Sequence, residues 1–158
     1  MRFDVLIVVM VTLVTANAYA NGERESYMKQ YTVQGKFEDV RDDLELAITG
    51  RGIKINNIAH IGNMLSRTGK DLGAKKQIFL HAEAFEFCSA TVSRDTMEAD
   101  PHNIVFCPYV IAVYVLPEQP DRVYLTFRRP LLVGTEASKA SLRSVEKLLE
   151  DIATDVAQ

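Results

Sequence analysis

One stretch of the sequence decides how the rest of the chain is arranged. It contains Phe85-Glu-Phe-Cys88-Ser-Ala90, Asp100-Pro-His-Asn103 and Phe106-Cys107-Pro-Tyr109. A strand-like run enters this stretch at Ile78, and another leaves it at Ile111. A short helix-like segment and a polar loop separate the two cysteines. Because both flanking runs are apolar, both must enter a sheet. The stretch therefore predicts an excursion between two strands, closed at each end by a cysteine.

The two cysteines, Cys88 and Cys107, are 19 positions apart. A disulfide that closes a loop of this length stabilises the fold by about 3 kcal/mol in the chain-entropy model. The polar loop, Glu98 to Asn103, has little to bury, so we predict a structural disulfide with Cα atoms roughly 4.4–6.8 Å apart. A redox-active thiol pair is the alternative, since Cys88 precedes a predicted helix start, which favours a thiolate. No Cys-x-x-Cys spacing, the usual one for dithiol exchange, is present.

The first twenty residues have the features of a secretory signal peptide. Arg2 gives a short basic start, Val5 to Val14 is an apolar run, and Ala18-Tyr-Ala20 is a cleavage signature of small residues. The run is too short to cross a bilayer. We expect cleavage after this signature, residues 21–26 as a flexible lead-in, and residues 27–158 as a single α+β domain. The expected location is periplasmic or secreted.

The composition of the chain excludes some classes of binding partner. The formal net charge is −3 with 25% charged residues, and no basic stripe occurs, so nucleic acid is not an expected partner. No second apolar run reaches membrane-spanning length, so no membrane span is expected in the mature chain. An unidentified small ligand or a protein partner is expected, and a homodimer is one alternative. Export to an oxidising compartment favours pairing of the cysteines.

Hydrophobic periodicity predicts two long helices and five strands. A stripe with offsets of three and four residues predicts a helix from Phe37 to Thr49, ended by a left-handed Gly50, and a second helix from Ser138 to about Val156. Alternating or continuous apolar runs predict strands at residues 27–34, 53–58, 76–87, 109–116 and 122–128. The predicted class is α+β: a small, mostly antiparallel sheet with the two long helices packed on one face, in the order β-α-β-β-β-β-α with short inserted helices.

Smaller features are also predicted. A short helix covers Ile61 to Arg67 and is stopped by Gly69. Another helix is capped by Ser89 and continues to about Met97. Asn56-Asn57 interrupts the second strand and indicates a bulge. The third strand bends after Ala84, where its alternation fails, and the fourth, nearly all apolar, is covered on both faces.

The outer face of the predicted hairpin is a candidate ligand or partner face, formed by Tyr114, Arg122, Tyr124 and Arg128. Guanidinium and phenol groups in alternation could bind an anion or a partner. The competing interpretation is a solvated strand face whose charges discourage edge pairing.

Four residues of one segment are the candidates for a metal or haem site: His81, Cys88, His102 and Cys107. Thiolate and imidazole suit copper or zinc. Their spacing matches no short ligand pattern, and the haem-attachment motif is absent. The prediction is therefore no metal site and no cofactor. No nucleophile elbow, phosphate loop or dinucleotide-binding glycine motif is present either, so no catalytic residue is assigned.

Five short motifs follow one another in the chain: His60-Ile-Gly-Asn-Met-Leu65, Phe87-Cys-Ser-Ala90, Ala99-Asp-Pro101, Cys107-Pro-Tyr109 and Tyr124 to Pro130. Together they resemble the domain of unknown function 302 family, and within it an exported branch with two cysteines. The resemblance covers roughly residues 31–130. It implies a small sheet with one helix after the first strand and another at the C-terminus, in agreement with the periodicity. It implies no settled activity and transfers no catalytic residues.

The expected function is that of an exported, non-enzymatic binding or accessory domain. The reason is a complete small fold with no assembled nucleophile, base or cofactor loop. Metal or haem binding, or thiol-redox exchange in the Cys88 and Cys107 region, are the alternatives.

Overall fold

The computed structural model describes residues 26–158, so the predicted signal peptide and most of the predicted lead-in lie outside the described residues. The elements in chain order are β1 Met28–Gln34, α1 Phe37–Thr49, β2 Ile55–Ala59, α2 Ile61–Asp71, β3 His81–Phe87, α3 Ala90–Ala99, a 3-10 helix Pro101–Phe106, β4 Tyr109–Val115, β5 Arg122–Arg128 and α4 Glu136–Val156.

The five strands form one antiparallel sheet in the order β1-β5-β4-β3-β2. The long helices α1 and α4 pack against each other and against the same face of this sheet. The predicted α+β class and the order β-α-β-β-β-β-α are therefore confirmed, with α2 and α3 as the short inserted helices. The predicted bulge is also confirmed, because the register of β2 against β3 shifts between Ile55 and Asn57.

The two long helices follow their predicted stripes. Helix α1 has its predicted bounds and buries one face against the sheet. Helix α4 begins at Glu136, because the side chain of Thr135 caps it by accepting a hydrogen bond from the Ser138 backbone N–H at 3.2 Å. Fully buried side chains such as Leu44 and Leu142 each stabilise the fold by about 1.5–3 kcal/mol through removal from water.

Strand side chains alternate between the two faces of the sheet. Residues such as Phe85, Ile111 and Leu125 point into the core beneath the long helices. Their strand neighbours point to the opposite face, which neither long helix covers. We call this opposite face the open face.

Strand β3 is shorter than predicted. It begins at His81 and not at Lys76. Its neighbour β4 ends at Val115, whose carbonyl accepts the last bond of the pair from the Leu80 N–H at 2.9 Å. Pro117 follows in the turn, so the residues before Leu80 have no ladder partner on β4.

The predicted bend in β3 is wrong. The strand pairs with β4 without interruption as far as Phe87. The alternation fails for another reason: Ala82 and Ala84 are buried on the open face, while Phe85 and Phe87 are buried in the core. Strand β4 is not covered on both faces by helices either, because Val110 on the open face is 37% exposed.

Two predictions about glycines are wrong, although Gly50 is the C-cap of α1 and the helix ends at Thr49 as predicted. Gly50 has a right-handed helical conformation, and Gly52, with φ +71°, takes the left-handed one. Helix α2 passes through Gly69 to Asp71, and left-handed Gly73 follows. A single glycine costs a helix only about 1 kcal/mol relative to alanine, which the continued hydrogen bonds of α2 offset.

Two connections of equal length lie on either side of β3. The first insert, residues 60–80, joins β2 to β3 and contains α2; the second insert, residues 88–108, joins β3 to β4 and contains α3 and the 3-10 helix. As predicted, Ser89 caps α3, since its side chain accepts from the Val92 N–H. The predicted polar loop is wrong: those residues finish α3 and begin the 3-10 helix, and Asn103 is buried.

Candidate functional site

The structure confirms the pairing of the two cysteines. Cys88 and Cys107 form a disulfide with their Cα atoms 6.5 Å apart, inside the predicted range. Ser93 of α3 lies beside it and donates a hydrogen bond to the Tyr109 hydroxyl at 3.1 Å. Burial raises the pKa of that Tyr109 hydroxyl, although hydrogen bonds from Ser93 and Thr96 act in the opposite direction. The disulfide therefore attaches both ends of the second insert to the adjacent strands β3 and β4.

The four candidate metal ligands are dispersed. His81 begins β3 and Cys88 follows its end, so the two are roughly 24 Å apart at about 3.4 Å per residue. His102 is exposed on the 3-10 helix, and both sulfur atoms are engaged in the disulfide. Across residues 26–158, no group of three or more histidine, cysteine or acidic side chains is placed to hold a metal ion.

The four candidate residues of the hairpin all lie on the open face. The rings of Tyr114 and Tyr124 stack, with centroids 5.1 Å apart and planes at 11°. Arg122 and Arg128 begin and end β5, so about 20 Å separates them. The face predicted as one site is thus a tyrosine pair between two distant arginines.

Exposed apolar side chains surround the Arg128 end of the open face. We call this region the apolar corner and define it by Tyr27, Val105, Val110, Leu131 and Leu132 around Arg128. Leu131 is 70% exposed and Val105 is 76% exposed. A cavity of about 460 Å³ lies here, with a smaller one of about 70 Å³ beside it, and both contact Arg128.

The two arginines of the apolar corner differ in their partners. The Nε of Arg129 donates to Glu146 Oε1 on α4 at 2.6 Å. Arg128 takes part in none of the ion pairs formed within residues 26–158. The corner therefore presents one cationic group, Arg128, that has no acidic partner in the described part of the chain, while Arg129 and Glu146 pair with each other at the edge of the larger cavity.

A polar cluster lies near the end of β3 that is distant from the disulfide. Glu83 Oε1 is 2.8 Å from Nδ1 of His60, and Glu83 Oε2 accepts from Nε of Arg41 on α1 at 3.2 Å. Beside this cluster the ring of His81 stacks on Phe37 with centroids 4.8 Å apart. Burial acts to lower the pKa of Arg41, but the hydrogen bonds and charges of its acidic neighbours Asp42, Glu83 and Glu45 together raise that pKa.

The backbone of α2 comes very close to the backbone of β3 beside this cluster. Beyond the end of β2, α2 runs along the edge of β3, and a Cβ at Gly62 would lie 2.9 Å from the backbone nitrogen of Ala82. Only glycine permits this distance without a shift. The approach places His60, just before α2, next to Glu83.

Sequence reasoning missed both the apolar corner and the His60–Glu83 pair. The Leu131-Leu132-Val133 run after β5 was a signal for the corner, because three apolar residues lie there outside any predicted element. The pair had no signal of its own, since 23 positions separate its members. His60 was considered as part of a family motif and as a possible metal ligand, and neither interpretation paired it with Glu83.

No helix of residues 26–158 combines the length and apolar character needed to cross a bilayer.

Comparison with known proteins identifies a family and a similar solved structure. The family model described as domain of unknown function DUF302 matches residues 29–158. The chain is similar in structure to an uncharacterized conserved DUF302 protein from Bacillus stearothermophilus, with a TM-score of 0.67 and 17% sequence identity. That match covers 83% of this chain and 98% of the other. None of the curated protein sequences matches this chain significantly.

Proposed function

Because this chain belongs to the DUF302 family, which is defined without an activity, we propose a function from its own surface: an exported, non-enzymatic binding protein for long-chain carboxylates. The site is the apolar corner. One observation carries the proposal, namely that Arg128 has no acidic partner within residues 26–158 and lies beside exposed leucines and a cavity of about 460 Å³.

An amphiphilic anion satisfies both halves of this site. Exposed side chains such as Leu131 and Leu132 lose contact with water when an alkyl chain covers them, and each methylene buried contributes about 0.8 kcal/mol. The planar guanidinium of Arg128 matches a carboxylate in geometry and charge. An apolar cation would satisfy the leucines and be repelled by Arg128.

Export is supported by two independent features. The N-terminal twenty residues carry the basic start, apolar run and cleavage signature of a secretory leader. The disulfide of the second insert is of the kind that persists in periplasmic and extracellular compartments. We place the mature protein in the periplasm or outside the cell, which fractionation of the native host would test.

Calorimetric titration with dodecanoate tests the binding proposal, with dodecyltrimethylammonium as the probe of equal chain length and opposite charge. We expect dodecanoate to bind and the cation to bind at least tenfold more weakly. Arg128→Gln should weaken dodecanoate binding about tenfold, as expected for loss of a charge-assisted pair of about 1.4 kcal/mol.

Arg122→Gln is the matched control, because it removes the same charge from the same strand and face at the other end. Leu132→Asn should also weaken binding, whereas Leu72→Asn, which changes an 84% exposed leucine elsewhere, should not. Equal binding of both probes, or equal effects of the two arginine variants, would show that the corner does not select a carboxylate. Recovery of chemically altered dodecanoate would instead indicate an enzyme.

A further inference from the structure

A groove lies between α2, the remainder of the first insert and the start of β3. It consists of two adjoining cavities of about 320 Å³ and about 200 Å³. Both cavities are lined by Gly62, Ser66, Gln77 and Phe79, so a single molecule can occupy the two. This groove is at the opposite end of β3 from the disulfide and the apolar corner.

One end of the groove is basic. Lys70, Lys75 and Lys76 line the larger cavity, and among residues 26–158 no acidic side chain lines it. None of the three lysines is engaged by an ion pair within the described part of the chain. Three ammonium groups around one cavity favour an anion there.

The other end of the groove presents a histidine with a defined orientation. Nδ1 of His60 is 2.8 Å from the Glu83 carboxylate, whose side chain is only 17% exposed and is also bound by Arg41. An ionised carboxylate can only accept, so Nδ1 carries the proton and Nε2 of the neutral ring is an acceptor. Nε2 has no partner within residues 26–158, and the His60 side chain is 58% exposed.

Between these ends the groove offers neutral polar groups. Asn63, Ser66 and Gln77 line the cavity next to His60. Amide and hydroxyl groups of this kind bind hydroxyls, whereas they gain nothing from an alkyl chain.

We propose that this groove is a second binding site, which takes a small hydroxylated organic anion such as a sugar acid. The anionic group lies among the three lysines, and a hydroxyl at the other end donates to Nε2 of His60. Glu83, which also lines this end of the groove, holds the ring through Nδ1, and Arg41 binds the other oxygen of the Glu83 carboxylate. The site is separate from the apolar corner, so neither proposal depends on the other.

Three six-carbon probes separate the recognition elements in calorimetric titrations of the mature protein. Gluconate carries both the anion and the hydroxyls, hexanoate carries only the anion, and sorbitol carries only the hydroxyls. We expect gluconate to bind at least tenfold more tightly than hexanoate or sorbitol. Arg128→Gln should leave gluconate binding unchanged.

Matched variants test each end of the groove. Lys75→Gln with Lys76→Gln should weaken gluconate binding about tenfold, and His60→Gln should weaken it about fivefold. Lys54→Gln with Lys147→Gln removes equal charge away from the groove, and His102→Gln changes an exposed histidine elsewhere; both should leave binding unchanged. Equal affinity for hexanoate and gluconate, no binding of gluconate, or equal losses in test and control variants would each overturn the proposal. Far-ultraviolet circular dichroism of every variant checks that the fold is retained, and we expect spectra equal to that of the wild type.

Discussion

The two inserts beside β3 have the same length of 21 residues and are attached to the sheet in different ways. The second insert is closed by the Cys88–Cys107 disulfide and held inside by Asn103, whose Nδ2 donates to Thr96 O at 3.1 Å and to Ser138 Oγ at 2.9 Å. The first insert has no cysteine, and its helix α2 has no fully buried side chain. Its main polar attachment is the partly exposed pair of His60 with Glu83.

Because of this difference, the second insert is the more rigid of the two and the first insert is the more accessible to ligands. Buried hydrogen bonds and a covalent bond make the second insert part of the fold, while its outer side chains, such as Val105, remain exposed to form the apolar corner. The first insert retains exposed polar groups and the larger polar groove. A region with few buried apolar contacts opens at low free-energy cost, so ligand-induced adjustment is expected in the first insert and not in the second.

Loss of the disulfide gives the largest expected effect. Changing Cys88, Cys107 or both to serine should lower the free energy of unfolding by about 3 kcal/mol and the melting temperature by roughly 10 °C. The reason is the conformational freedom that the unfolded chain regains when the loop between the cysteines is opened. Thermal and urea unfolding, followed by circular dichroism, measure the change.

Met97→Leu is the control for the disulfide variants, because it alters α3 inside the same insert with nearly constant volume and should cost less than about 1.5 kcal/mol. Wild-type protein unfolded in reductant should match the double serine variant. If serine at both positions costs no more than leucine at Met97, the disulfide does not distinguish the two inserts.

Most of the architecture could be predicted because it depends on local periodicity. The stripes of α1 and α4 and the alternation in β5 each appear within one element, so their bounds were correct or nearly so. The start of β3 could not be read in this way, since it depends on where β4 ends. The prediction that Gly69 ends α2 was wrong, because the low helix propensity of one glycine is outweighed by the hydrogen bonds that continue the helix.

The candidate sites were harder to predict, because they join distant parts of the chain. The pairing of the cysteines could be predicted because the sequence contains only two, and because the predicted export would favour a disulfide between them. Arg128 was identified correctly as lying on the outer face, but its apolar surroundings come from the 3-10 helix and from residues beyond β5. The pairing of His60 with Glu83 requires α2 to lie along β3, and hydrophobic periodicity within one element does not predict how two elements pack.

Two glycines of α2 give the next largest expected effect, with opposite signs. Gly62→Ala would place a Cβ 2.9 Å from the backbone nitrogen of Ala82, and should destabilise the protein by about 2 kcal/mol. Gly69→Ala meets nothing nearer than Ala74 at 3.8 Å, and should stabilise the helix by up to about 1 kcal/mol. The same substitution in the same helix thus isolates the backbone approach that attaches the first insert.

Urea unfolding measures both glycine variants. If Gly62→Ala is as stable as wild type, α2 does not depend on this approach, and the first insert is attached mainly by its polar pair.

The smallest effect concerns pH and the point where the second insert rejoins the sheet. Tyr109 begins β4, packs edge-on against Phe87 with ring centroids 6.2 Å apart, and accepts a hydrogen bond from Ser93 of α3. Burial raises its pKa above the ordinary value of 10.0, so the folded protein holds this proton more tightly than the unfolded chain. The contribution to stability is therefore complete below about pH 10 and is lost as pH rises through the folded value.

Tyr109→Phe should accordingly flatten the decline in stability on the alkaline side, and urea unfolding from about pH 8 to pH 11 measures that slope. Tyr27→Phe, which removes a hydroxyl from a tyrosine that is 52% exposed, is the matched control. An equally steep decline in Tyr109→Phe and wild type would mean that water reaches the hydroxyl in the folded protein. The junction of the second insert with β4 would then be open, and the contrast between a closed second insert and an accessible first insert would rest on the disulfide and on the buried hydrogen bonds of Asn103.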